Sequence, residues 1–168
     1  TPTTGVCANT ATMTITVNPI VTPTFTQVAA ICAGATLSAL PTTSTNSITG
    51  TWSPAINNAA TTTYTFTPTT GVCANTATMT ITVNITPAPT GAATQSISSN
   101  LTIASISVTG TGIVWYASAA NAASGTNPLP NTTVLTNTTY YATQTIGGCT
   151  STNSLAVTVT TLANIDFE

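Results

Sequence analysis

Four cysteines are the side chains of this chain with the most evident chemistry. They are Cys7, Cys32, Cys73 and Cys149 in a sequence of 168 residues. Cysteine thiols serve as nucleophiles beside a base, as metal ligands in closely spaced pairs, or as disulfide partners. These four are scattered singly, without a C-x₂-C pair, so a zinc site is not expected. In a chain rich in Thr and Asn they favour disulfides and an oxidising compartment.

The sequence has few of the acid–base side chains that enzymatic catalysis needs beside a nucleophile. The sequence contains no Lys, Arg or His, and its only acids are Asp166 and Glu168 in the C-terminal tail. No His or Lys is therefore present to act as a general base, and a Ser or Thr nucleophile would have no activating partner. Calcium requires several carboxylates. We expect no enzymatic activity, no cofactor and no metal site.

The charge pattern also excludes classes of partner. A chain without basic residues cannot neutralise phosphates, so we expect no nucleic-acid binding and no attraction to anionic membrane surfaces. No apolar run approaches the roughly 20 residues of a spanning helix, so direct membrane insertion is not expected. A net charge of −2 gives little colloidal repulsion, which suits a module fixed in a fibre or on a surface.

An internal repeat sets the domain organisation. Residues 1–18, TPTTGVCANTATMTITVN, return unchanged as residues 67–84. We therefore interpret 19–84 as one complete unit and 1–18 as the C-terminal hairpin of a truncated preceding unit. Residues 85–161 follow the same plan in different letters and form a terminal domain, and 162–168 form a linker. A longer array is expected.

The pattern within each unit is that of strands and turns. "TYTF" and "TMTITV" alternate Thr with apolar residues, the period of half-buried strands, and a turn cluster separates them. Further strands are expected near 23–29, 35–40 and 48–53. The apolar phase slips between Leu37 and Leu40, and again between Ile103 and Ile106, as at a β-bulge. Several short strands at this spacing predict an all-β fold of tandem β-sandwiches.

Two stretches resemble a known family. "AICAGATLSAL…GTWSPA…TTTYTFTPTTGVCAN…MTITV" resembles the immunoglobulin-like repeats of Bacteroidetes (flavobacterial) cell-surface proteins exported by type IX secretion, including gliding-motility adhesins. "GTGIVWYAS…TTYYATQTIGGCTSTNSLAVTV" is similar to the last such domain before a C-terminal sorting domain. The resemblance covers nearly the whole chain and implies immunoglobulin-like topology, with 162–168 leading toward an absent sorting domain.

The aromatic residues receive roles from that topology. Trp52 and Trp115 occupy matching places on the third strand and are expected in the core between sheets. Tyr64 and Tyr140 begin the penultimate strand, where a tyrosine-corner role is expected. Tyr116 and Tyr141 lie beside core aromatics and are the candidate contact residues of an exposed surface.

The same topology bears on the disulfides. It places the first turn at the bottom of a sandwich and the last hairpin at the top, about 20 Å away along a six-residue strand, whereas bridged Cα atoms lie within about 7 Å. The first turn of one domain then faces the last hairpin of the next. The favoured pairing is Cys32 with Cys149 across the junction, and the alternative is Cys32 with Cys73 inside one domain.

These observations predict a non-catalytic stalk segment of an exported, extracellular bacterial cell-surface protein, stiffened by disulfides. Its expected partners are adjacent repeats of the same protein and outer-membrane secretion or anchoring machinery. One alternative is an adhesin module that binds polysaccharide or a partner protein. Another is a fibre subunit that exchanges strands between chains.

Overall fold

The computed structural model describes residues 1, 3–5 and 7–162. The fold is all-β with two short helical segments, and its strands fall into two groups along the chain. The first group is β1 (Ile31–Cys32), β2 (Gly50–Ser53), β3 (Thr62–Pro68), β4 (Ala77–Ile81) and β5 (Val83–Asn84). The second group is β6 (Thr90–Gly91), β7 (Thr94–Ser98), β8 (Val108–Thr109), β9 (Val114–Tyr116), β10 (Thr138–Thr143), β11 (Thr145–Ile146), β12 (Cys149–Thr150) and β13 (Leu155–Leu162).

Strand pairing stays within each group throughout the described residues. We therefore call residues 19–84 the first unit and residues 85–162 the second unit. The expected linker at 162–168 lies outside the described residues, apart from Leu162 at the end of β13.

The first unit is built on an antiparallel sheet in the order β2-β3-β4, with β1 paired in parallel to β5. Thr alternates with apolar residues along β3 and β4, so each strand turns one apolar row inward. In register, Tyr64 lies opposite Met79. The buried cluster beneath the sheet contains Leu40, Tyr64, Met79 and Ile81, with Phe25, Val28, Leu37 and Trp52 packed against it.

The second unit has a four-stranded sheet in the order β7-β13-β10-β9, in which β7 runs parallel to β13. Two small ladders, β6-β8 and β11-β12, complete it. Its core is larger than that of the first unit and contains Ile103, Ile106, Trp115, Leu135, Tyr140, Ala142, Val157 and Val159.

The two units share a register at their first turn. Cys32 is the parallel partner of Asn84, and Ser98 is the parallel partner of Leu162. The turn that follows has a left-handed residue at the same place in each unit, Gly34 with φ 81° and Asn100 with φ 66°. Ser98 is therefore the structural counterpart of Cys32.

Two of the predicted strands do not form. Residues 23–29 and 35–40 belong to no ladder, although Phe25 and Leu37 pack on the core. An alternating pattern indicates which side chains are buried. An extended segment that lies beside a sheet shows the same pattern even when its backbone does not pair with a neighbouring strand. The predicted strand at 48–53 is present as β2, starting at Gly50.

Helical turns were also missed. The phase slip between Ile103 and Ile106 is a 3₁₀ turn (Ile103–Ser105), not a bulge. Three residues per turn bring both isoleucines to the same side, and both are buried. The helix α1 (Ala119–Ser124) has Ser118 as its N-cap and Gly125 in the left-handed conformation at its end.

The hairpin expected for residues 1–18 does not form in the described part of that segment. Residues 7–18 carry no strand, and Met13, Ile15 and Val17 are 84%, 76% and 86% exposed. The matching apolar residues of the second copy are buried, since β4 pairs with β3 and β5 pairs with β1 there. Among the described residues the first copy has no such neighbouring strand.

Candidate functional site at the junction between the units

A disulfide joins the two units. Cys32 of the first unit is bonded to Cys149 of the second, with 5.3 Å between their Cα atoms. This is the pairing favoured by the topological argument, and the alternative between Cys32 and Cys73 is not formed. Cys7 and Cys73 are exposed, and neither is in a disulfide within the described part of the chain.

The first unit holds Cys32 at the exit of its own chain. The parallel ladder between β1 and β5 places Cys32 beside Asn84, the last residue before the linker between the units, residues 85–89. The amide of Ala33 donates to the Asn84 carbonyl at 2.9 Å. One side of the disulfide is thereby fixed within a residue of the point where the chain leaves the unit.

The second unit presents Cys149 on a tight hairpin. β11 and β12 are joined by Gly147 and Gly148, whose φ values are 57° and 82°. Two successive residues with positive φ are the signature of a type I′ turn, and glycine adopts them without steric cost. The cysteine that follows is buried.

The linker is bound to this same hairpin. The hydroxyl of Thr86 is buried and donates to the Cys149 carbonyl at 2.9 Å. One residue further, the Pro87 carbonyl accepts a 2.9 Å hydrogen bond from Nε2 of Gln144. The linker therefore follows the surface of the second unit as soon as it leaves the first.

Gln144 connects three segments at this point. Its side chain is buried, and its Oε1 accepts from the Thr111 amide at 3.0 Å while Nε2 binds Pro87. Its main chain pairs with Ser151, whose amide donates to the Gln144 carbonyl at 2.8 Å. A buried amide with partners at both ends is a rigid connector, because any displacement leaves polar groups unpaired.

The junction is a short closed circuit. The path runs from Cys32 through the ladder to Asn84, along the chain to Thr86, through its hydrogen bond to Cys149, and back across the disulfide. Each step is a covalent bond, a ladder or a buried hydrogen bond. Bending at the linker would have to break the hydrogen bonds, because the disulfide fixes the other side.

A shallow cleft adjoins the junction, and its chemistry is neutral. The lining comes from Ala33 of the first unit and from Tyr116, Ala122, Ala123, Ser124, Gly125, Thr150, Ser151 and Thr152 of the second. These residues offer hydroxyl, amide and methyl groups. Such a cleft can pack against a neutral surface, but its lining supplies no acid–base pair.

The two tryptophans lie at matching positions with different burial. Trp115 is buried in the core of the second unit. Trp52 is half-buried in an aromatic cluster with Phe25 and Phe66, with ring centroids 4.7 and 5.2 Å away, and its Nε1 donates to the Pro41 carbonyl at 2.9 Å. Both side chains pack within their own unit.

The hydroxyls of Tyr64 and Tyr140 bind backbone upstream of their strands. The Asn57 amide donates to the Tyr64 hydroxyl at 2.9 Å, and the Thr136 amide donates to the Tyr140 hydroxyl at 3.0 Å. Each tyrosine thus ties a connecting loop to the sheet, as a tyrosine corner does.

The expected exposure of Tyr116 is wrong. Its side chain is only 4% exposed, because α1, which the sequence pattern did not reveal, packs against β9 and β10. Tyr141 is the register partner of Tyr116 and is half-buried. Neither residue stands free on a strand face.

Two junction residues escaped prediction. Thr86 is one of 46 threonines, and nothing in its local sequence separates it from the others. Gln144 is one of three glutamines, and it interrupts a strand pattern at a position that proves to be buried. The sequence feature that could have identified Gln144 is its place in a strand pattern, where a side chain that can both donate and accept hydrogen bonds stands among apolar residues.

No family model matches the chain, and no curated protein matches it. In residues 1, 3–5 and 7–162, no helix has the length and apolarity needed to cross a membrane. Within the same residues, no three His, Cys, Asp or Glu side chains gather as a metal site would require.

Proposed function

We propose that this chain is a non-catalytic spacer, a segment of a stiff stalk made of tandem immunoglobulin-like domains in an exported bacterial cell-surface protein. The observation that carries the proposal is the Cys32–Cys149 disulfide across the linker. The bond joins the first unit covalently to the second, beside the point where the chain passes between them. Its direct mechanical effect is to hold one domain against the next.

Strand order supports the immunoglobulin-like assignment. In each unit the first-turn strand runs parallel to the last strand, and antiparallel pairs make up the main sheet beyond it. In both units a tryptophan lies on the strand that pairs with the tyrosine-bearing strand, β2 with β3 and β9 with β10. A core tryptophan and a tyrosine hydroxyl bound to upstream backbone are further features of such sandwiches. The 66-residue repeat supports their arrangement in series.

The chemistry of the surface supports a structural role. With no Lys, Arg or His in the chain and both acids in its last three residues, the described residues offer little for acid–base catalysis or for strong electrostatic recognition. Neutral surfaces of this kind suit modules whose neighbours are fixed by covalent linkage. The partners of this proposal are adjacent repeats of the same protein and the machinery that exports or anchors it.

The disulfide also supports an oxidising location. Disulfides persist in secreted and surface proteins and are rare in reducing compartments. An extracellular position on the bacterial surface is consistent with both the bond and the family resemblance of the sequence.

The mechanism is restriction of bending. A short free linker lets two domains sample many orientations. Here Thr86 and Pro87 are bound to the second unit, and the disulfide closes the other side. Force along the chain then meets domains whose relative orientation is already restricted, so little extension is lost in straightening a hinge.

Backbone ¹⁵N relaxation tests the proposal. The oxidised chain should tumble with one rotational diffusion tensor for both units. Replacing Cys32 and Cys149 together by Ser should give two tensors and faster apparent tumbling of each unit. The matched control changes Cys7 and Cys73 to Ser and should leave the single tensor intact. Two independent tensors in the oxidised parent chain would refute the spacer function.

A further inference from the structure

The N-terminal segment carries an unused strand. Residues 7–18 have the same sequence as residues 73–84, which include β4 and β5. In the second copy Met79, Ile81 and Val83 are buried, whereas the matching residues of the first copy are among the most exposed apolar side chains of the molecule. The same apolar side chains are thus buried in residues 73–84 and exposed to water in residues 7–18.

The position that this strand would take is the edge of β3, which the second copy occupies as β4; we call this position the slot. β4 pairs with β3 so that Met79 faces Tyr64 and Thr78 faces Thr65. Hydroxyls also meet across the pair, with 2.8 Å between Oγ1 of Thr63 and Oγ1 of Thr80. Every side chain that β4 contributes to these contacts has its equivalent in residues 7–18.

The segment cannot enter the slot of its own unit. The amide of Val21 donates to the Cys73 carbonyl, and Asn75 donates back to Val21, both at 3.0 Å. Val21 is thereby held at the start of the last strand, whereas Asn18 would have to reach the place of Asn84 at the far end. The strand 77–84 spans about 23 Å, and three residues reach at most about 11 Å.

We propose that residues 7–18 are a closing strand for another sandwich, one that resembles residues 19–66 and has no last strand of its own. The strand adds to the free edge of the β3 equivalent, in the register that β4 shows here. An intact second copy of this chain is not the partner, because its slot already holds an identical strand. The unmodified chain is therefore expected to be monomeric.

This inference goes beyond the spacer function and fails separately from it. The experiment measures the binding of residues 7–18 of one chain to a strand edge of another chain. The spacer function instead concerns stiffness at the Cys32–Cys149 junction. In both chains of the test Cys7 and Cys73 are replaced by Ser, so that thiol exchange does not contribute.

The experiment pairs a donor with an open acceptor. The acceptor carries Ile81→Asp, which expels its own last strand, and Ile15→Asp, which disables its own N-terminal segment. The donor is the otherwise unmodified chain, and the matched control donor carries Ile15→Asp. The acceptor is refolded from denaturant with each donor, and the complex is weighed by light scattering.

A complex of one donor with one acceptor is expected. With the control donor its association constant should fall on the order of a hundredfold or more, because a carboxylate would enter the apolar core. The proposal is overturned if the acceptor stays unbound or aggregates equally with either donor, if both donors bind alike, or if the unmodified chain associates with itself.

A cross-strand pair tests the register. Donor Thr12→Cys should form a disulfide with acceptor Thr65→Cys, because Thr12 corresponds to Thr78. Donor Thr14→Cys is the matched control, since Thr14 corresponds to Thr80, which faces Thr63. Equal yields from the two donors would contradict the proposed register.

Discussion

Breaking the interdomain disulfide should destabilise both units, although the bond lies inside neither. The perturbation is Cys32→Ser together with Cys149→Ser, which leaves no new thiol. A cross-link stabilises chiefly by restricting the unfolded chain, and the effect grows with the loop that it closes. The folded partner unit shortens that loop when only one unit unfolds.

The magnitude follows from the junction geometry. When the second unit unfolds alone, the folded first unit keeps Cys32 beside Asn84, so the closed loop runs from 84 to 149, about 65 residues. When the first unit unfolds alone, Thr86 stays near Cys149, and the loop from 32 to 86 has about 55 residues. Each loop corresponds to about 4 kcal/mol at 25 °C.

Each unit carries its own fluorescent reporter, Trp52 in the first and Trp115 in the second. Guanidinium unfolding of Trp52→Phe and Trp115→Phe backgrounds therefore follows the units one at a time. When the disulfide is removed, the free energy of unfolding of each unit should fall by about 4 kcal/mol. Both transition midpoints should therefore move to lower guanidinium concentration. Replacing Cys7 and Cys73 by Ser should move neither. A loss below about 1 kcal/mol in both units would refute the reasoning, because the junction would then not restrict the unfolded chain.

Three substitutions test individual contacts by denaturant unfolding. Gln144→Ala should destabilise the second unit by about 2 kcal/mol, because it leaves the Thr111 amide and the Pro87 carbonyl unpaired. The control, Asn131→Ala on the surface, should change the stability little, and equal effects would contradict the role given to Gln144. Tyr140→Phe should cost about 1 kcal/mol through the lost hydroxyl bond, and Tyr116→Phe, whose hydroxyl has no hydrogen bond within the described residues, is the control that should be silent. Thr143→Val should stabilise the unit by about 1 kcal/mol, because the Thr143 hydroxyl is buried and has no partner among the described residues; destabilisation would show that a partner is present in solution.

The junction disulfide was predictable because it depends on chain direction. The strand topology that the family resemblance implied decides which turns face one another, and the reach of a disulfide then favours Cys32–Cys149 over Cys32–Cys73. Ser98 holds the place of Cys32 in the second unit, as its register with Leu162 shows. Such arguments use spacing and order, which a repetitive sequence preserves well.

The hydrogen bonds of the junction were not predictable. With 46 threonines in the chain, the identity of Thr86 carries little information, and its burial comes from the hairpin of another unit. The helix α1 was missed because six residues are too few for a periodic pattern, although Ser118 and Gly125 are the cap residues that mark its ends. Its absence from the prediction also made Tyr116 look exposed.

The segments at 23–29 and 35–40 illustrate a different limit. Phe25 and Leu37 do bury apolar side chains against the first core, so the pattern was interpreted correctly as burial and wrongly as strand pairing. Whether an extended segment joins a ladder depends on the backbone groups of its neighbour. That information lies far away in the sequence.

The central claim is a covalent junction between successive domains, and non-reducing peptide mapping tests it most directly. The chain has no Lys or Arg for trypsin, so the blocked and unreduced protein is digested with chymotrypsin and its linked peptides are identified by mass spectrometry. We predict a linked pair that contains Cys32 and Cys149, with Cys73 recovered as a blocked thiol. Recovery of Cys32 linked to Cys73 would contradict the account.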